Sequence, residues 1–63
     1  MEYGEKIKQI RKKSLLSQRD FAKEVGVTYA TVARWETGER EPSWKCLRKV
    51  KEFCDRKGID IVL

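Results

Sequence analysis

The sequence has no histidine, one proline and two cysteines among its 63 residues. Without histidine there is no imidazole for acid–base work near neutral pH. Without a Cys-x-x-Cys pair as well, no metal site is expected. Cys46 and Cys54 stand eight positions apart, about 12 Å along a helix at ~1.5 Å per residue, too far for an intrachain disulfide. They read as reduced, partly buried packing residues of a cytoplasmic protein. No apolar run approaches the ~18 residues of a membrane span, and the N-terminus lacks a signal core, so no membrane partner is expected. There is no repeat, linker or low-complexity tract. An enzyme is the weakest class: no paired carboxylates mark a cleft, no phosphate loop is present, and no nucleophile has a base. No cofactor and no small-molecule substrate are expected.

What is present is charge. Charged residues make up 40% of the chain, the formal net charge is +5 and the isoelectric point is near 9.5. A basic excess suits nucleic acid, although many of these charges belong on solvated helix faces. The length fits one domain, residues 1–63. A chain this short buries only about 60% of its unfolded surface, so a second chain is a natural source of missing core.

The stretch Gln18 to Thr37, QRDFAKEVGVTYATVARWET, organises the rest. It reads as two short helices joined by a tight turn at Gly26. Ser17 and Thr28 suit the N-cap positions, where a hydroxyl accepts an orphan amide of the first turn. Phe21, Ala22 and Val25 recur at helical spacing and make one apolar face. Gly26 can end the first helix in the left-handed conformation, with Val27 dropping into the core. On the second helix Val32, Trp35 and Glu36 share one side. Ala30, Ala33, Arg34 and Thr37 lie opposite, with Tyr29 and Thr31 on the flanks.

Before this stretch, Tyr3 to Ser14 reads as a helix with Tyr3, Ile7 and Ile10 on one face. Arg11 continues that inward stripe, as Glu36 does on its own helix. Two opposite charges that both point inward predict an Arg11–Glu36 ion pair. Leu16 reads as core and Leu15 as exposed. After it, Thr37 to Ser43 is a loop in which Gly38 ends one helix and Pro42 and Ser43 begin the next. Trp44 to Lys57 is a long helix whose apolar stripe (Leu47, Val50, Cys54, widened by Cys46 and Phe53) is broad enough for more than one surface. Gly58 ends it. In the tail, residues 58–63, the apolar Ile59, Ile61 and Leu63 alternate as in a strand. A lone strand leaves its backbone groups unpaired, so pairing with the same segment of a second copy is one reading. A short fifth helix and a disordered tail are the others.

The combination LSQ…FA…VGV…VARWE.G…PS resembles the helix-turn-helix of the lambda-Cro/Xre repressor family, with the motif at residues 17–37 and the likeness running from Ile7 to Val50. The resemblance implies an all-α fold, a compact lambda-repressor-like bundle of four main helices, with the C-terminal strand as an antitoxin-type addition. It also implies the Arg11–Glu36 pair. The chain departs from the family pattern in two places. Leu15 stands where a glycine usually ends the first helix, and Glu39 and Glu41 flank Arg40 in a loop that usually carries several basic residues.

The function implied is a sequence-specific transcriptional regulator, a repressor acting as a homodimer on double-stranded DNA. The recognition helix, 28–37, would enter the major groove, where each base pair shows a distinct pattern. Tyr29, Ala30, Ala33 and Arg34 are the candidate base contacts. Arg34 is the outward side chain able to pair bidentately with a guanine edge. Ser17, Gln18, Thr28, Thr31, Thr37 and Arg40 are the candidate phosphate contacts, the capped helix starts contributing amide donors. Gln18 is also expected to brace the start of the recognition helix. The competing class is an antitoxin-like interaction module, in which the broad last helix and apolar tail bind a toxin or other protein partner.

Overall fold

Four helices form in the order expected: α1 (Glu2–Lys13), α2 (Gln18–Val25), α3 (Tyr29–Thr37) and α4 (Trp44–Lys57). The structure is a computed structural model that describes residues 2–60. The strand read into the tail falls mostly outside those residues, as do Ile61 and Leu63. Ile59 lies within them. It is half-buried against the chain's own core, and its N–H donates to the carbonyl of Cys54.

Each helix after the first begins on a hydroxyl. Ser17, Thr28 and Ser43 have extended backbone, and their side chains accept from the amides of Asp20, Thr31 and Cys46. Each ends on a glycine in the left-handed region: Gly26, Gly38 and Gly58. α1 is the exception, and its end shows how the missing glycine is handled. Leu15 takes φ 59° itself. The Leu15 amide donates to the Lys12 carbonyl and the Leu16 amide to that of Arg11, the bonding pattern of a Schellman cap. Leu15 is thereby thrown into solvent at 92% exposure, while Leu16 turns back onto the core. α1 stops at Lys13 rather than Ser14, because Ser14 already belongs to this cap.

The core is the set the periodicities select, except that Leu47, read as part of the α4 stripe, is only half-buried and lies outside it. Ile7 and Ile10 come from α1, Phe21, Ala22 and Val25 from α2, Val32 and Trp35 from α3, and Val50, Phe53 and Cys54 from α4. The Phe21 and Phe53 rings meet edge to face, centroids 5.1 Å apart, and join α2 to α4. Burial pushes the Cys54 thiol above its ordinary pKa, as expected for an inert packing thiol.

One contact was not legible in the pattern. Gly4, inside α1, is buried against the end of α3, and a Cβ there would collide with the carbonyl oxygen of Trp35. The first turn of α1 therefore sits directly on the backbone of α3. An isolated glycine in a helical pattern is the only sequence sign of such an approach.

Candidate nucleic-acid interface

α3 is held from behind by a charged cluster. Arg11 Nε donates to Glu36 Oε2 at 2.7 Å and Arg11 Nη2 to Oε1 at 3.1 Å. Arg11 Nη1 reaches the Leu16 carbonyl at 3.1 Å. The Glu36 side chain is 5% exposed. The hydrogen bond to Glu36 raises the Arg11 pKa, burial working against it and the carboxylate charge adding to it. Gln18 Nε2 joins the cluster, donating to Glu36 Oε1 at 3.1 Å. Gln18 thus reaches the last turns of α3, not its start, because Glu36 is where a buried acceptor needs another donor. Among the described residues, no buried side-chain nitrogen or oxygen lacks a partner.

The other side of α3 is open. Tyr29, Ala30, Arg34 and Thr37 are exposed, whereas Ala33 is only half-exposed, turned partly toward the bundle. The Arg34 side chain is 54% exposed, and its Nε stands 3.7 Å from Glu39 Oε2. That pair is loose and solvated, so it holds Arg34 weakly. Thr37 Oγ1 donates to the Arg34 carbonyl, which also accepts the Arg40 amide, so the end of the helix is tied to the loop that follows.

At the start of α3 the Thr28 and Thr31 hydroxyls are 2.7 Å apart, and the Thr31 amide donates to Thr28. The caps of α2 and α3 leave amides of each first turn without helical partners, the arrangement that favours anionic oxygens. The Arg19 guanidinium lies 4.7 Å from the centre of the Tyr29 ring. Arg19 did not stand out in the sequence, since a lone arginine in a first helical turn carries no periodic signal. Through that contact a cation from the first turn of α2 meets the ring at the start of α3.

Between α3 and the start of α4 lies a shallow groove of about 300 Å³, lined by Thr31, Arg34, Trp35, Arg40, Glu41, Ser43 and Cys46. The groove brings Arg40 to the same side as Arg34 and Thr31. Glu41 lies there too, so the groove is of mixed charge. Among the described residues no helix is long and apolar enough to cross a membrane, and no cluster of acidic residues and cysteines could hold a metal ion.

This layout is a capped helix pair with the second helix offered outward, and residues 7–59 match the helix-turn-helix family. The chain belongs to that family, in its Cro/C1 or Xre type. It is similar to the HTH-type transcriptional activator BcrR of Enterococcus faecalis, 30% identical over 53 residues, which cover 84% of this chain and 26% of the relative. It is also similar to the uncharacterized HTH-type transcriptional regulator YqaE of Bacillus subtilis strain 168, 32% identical over 53 residues, covering 84% of this chain and 46% of that one. The chain therefore spans about a quarter of the first and just under half of the second. No solved structure matches it. The family is one of DNA-binding transcriptional regulators.

Proposed function

We propose that the protein is a sequence-specific DNA-binding transcriptional regulator, with α3 in the major groove and α2 crossing the phosphate backbone. The observation that carries this reading is the contrast on α3. Its inward glutamate is fully bonded, while the outward Arg34 is exposed and only loosely paired. Arg34 reads a guanine through O6 and N7, a pair worth about 1–3 kcal/mol of discrimination. Ala30 and Ala33 allow close approach and offer methyl contact to thymine. Tyr29, oriented by Arg19, contacts a base or phosphate at the helix start. Ser17, Gln18, Thr28, Thr31, Thr37 and Arg40 contact phosphates, those at helix starts partly through backbone amides.

The protein binds an inverted repeat as a homodimer, its half-sites about one helical turn (~34–36 Å) apart. Ile61 and Leu63, with Ile59 at the root of the tail, contribute to that dimer. It acts as a repressor by occluding polymerase, the commoner mode in the family. A reporter fused to the selected site tests the sign of regulation.

Selection of bound sequences from a random duplex library, followed by the salt dependence of the winner, tests the whole reading. An enriched inverted repeat with a G in each half-site supports it. Steep salt dependence without enrichment would reduce it to non-specific phosphate attraction and favour the protein-interaction class.

A further inference from the structure

Several cations around the helix pair are held by acceptors. Arg11 pairs with Glu36, Arg34 stands by Glu39 and Lys57 by Glu24, while Lys49 and Arg56 reach backbone carbonyls. Arg19 differs. It is exposed, and among the described residues no carboxylate lies within ion-pair distance of it. What it meets is a ring. Its guanidinium carbon lies 4.7 Å from the centre of the Tyr29 ring, and Tyr29 is itself 45% exposed. The contact crosses the turn at Gly26 and joins the second residue of α2 to the first of α3.

A ring face and a carboxylate leave an arginine in different states. The ring attracts the guanidinium without neutralising it, and satisfies few of its N–H donors. Arg19 is thus steadied while its charge and most of its donors remain available. Asp20, the acidic neighbour, is turned about 100° away around the helix.

We propose that Arg19 is a phosphate-binding residue of the DNA interface, and that Tyr29 is the residue that positions it. The inference rests on the DNA-binding reading and deepens it. There Arg19 orients Tyr29, and the same contact works in the other direction. Chemistry names the ligand. A full positive charge with a planar fork of N–H donors matches a phosphate oxygen pair. Arg19 also gives up no carboxylate on binding, unlike Arg34. A phosphate contact carries no sequence information. Arg19 therefore sets affinity and register, and the choice of sequence is left to Arg34.

The test has one part without DNA and one with it. In the free protein the ring current of Tyr29 should shift the Arg19 side-chain protons upfield in the NMR spectrum. The shift should persist in Tyr29→Phe and vanish in Tyr29→Leu. Binding is then measured against salt on the selected site and on a duplex of scrambled sequence. Arg19→Gln should weaken both complexes by a similar factor and reduce the salt slope by about one. Tyr29→Leu should weaken binding about two- to fivefold through Arg19, the scale of an exposed cation–ring contact. Arg19→Gln should accordingly cost less in the Tyr29→Leu background than in the wild type, and its full cost should return in the Tyr29→Phe background.

Each part can overturn the proposal. Without the upfield shift the contact is not made in solution, and the DNA-binding reading stands. An unchanged affinity and salt slope in Arg19→Gln removes the phosphate contact alone. A loss confined to one base pair makes Arg19 a base reader instead. An equal cost of Arg19→Gln in all three Tyr29 backgrounds shows that the ring does not position it. A wild type that binds neither duplex overturns the DNA-binding reading and this inference together.

Discussion

The two faces of α3 use the same chemistry to opposite ends. On the inner face a carboxylate at 5% exposure takes three donated bonds, two from Arg11 and one from Gln18. On the outer face Arg34, two residues earlier, is 54% exposed and stands 3.7 Å from Glu39. The difference is desolvation. The inner pair has left water and cannot lose a partner without stranding a charge. The outer pair remains hydrated, so its arginine can exchange a carboxylate for a base edge at small cost. A single helix thus carries a fixed end of the fold and a free end of the interface.

The largest expected break in that contrast is Glu36→Ala. It leaves the Arg11 guanidinium part-buried beside an empty site and should cost roughly 3–5 kcal/mol. In a domain of this size that is a large share of the total stability. Urea denaturation measures it, and a midpoint within error of the wild type would show that the cluster is not structural. Gly4→Ala attacks the same inner face through the backbone. The added methyl must push α1 away from the Trp35 carbonyl, at a cost of about 1–3 kcal/mol despite alanine's better helix propensity. A stabilised variant would mean that α1 slides without loss.

Arg34→Ala tests the outer face. Stability should stay within about 0.5 kcal/mol of wild type, while discrimination at one base pair per half-site falls by about 1–3 kcal/mol. Equal loss on every sequence would reassign Arg34 to phosphate contact and remove the base-reading half of the comparison.

The inner face was legible in the sequence and the outer face less so, for a physical reason. Burial enforces periodicity. Val32 and Trp35, Phe21 and Val25, and the two inward charges therefore announced themselves by spacing, and Arg11 and Glu36 each identified the other. Exposed residues obey no such constraint. Arg19 beneath Tyr29 left no trace in the pattern, and Ala33 is more buried than the helical wheel suggested. Gln18 was expected to brace the start of α3, as the family resemblance implies. It reaches the end because a carboxylate acceptor is there. Backbone-on-backbone contact leaves only a glycine behind, which is why Gly4 was silent. The α1 cap is a case of misfit between propensity and structure. Leu15 takes φ 59°, a conformation costing about 1–2 kcal/mol for a side chain with a Cβ. Leu15→Gly should therefore stabilise the fold by about 1 kcal/mol. A lower melting temperature would mean that the exposed leucine makes a contact of its own.

The smallest expected effect sharpens the contrast most. Glu39→Gln removes the carboxylate beside Arg34 and leaves a neutral side chain of the same shape. Because both partners are exposed, stability should change by no more than a few tenths of a kcal/mol. DNA affinity should rise, since Arg34 no longer exchanges one carboxylate for another acceptor and an anion has gone from the loop proposed to meet phosphates. At low ionic strength a gain of about two- to fivefold is the scale for one exposed charge, shrinking as salt screens it. The same change at Glu36 would be ruinous. If Glu39→Gln instead weakens binding, the carboxylate orients Arg34 in the complex, and the outer pair is a built part of the interface like the inner one.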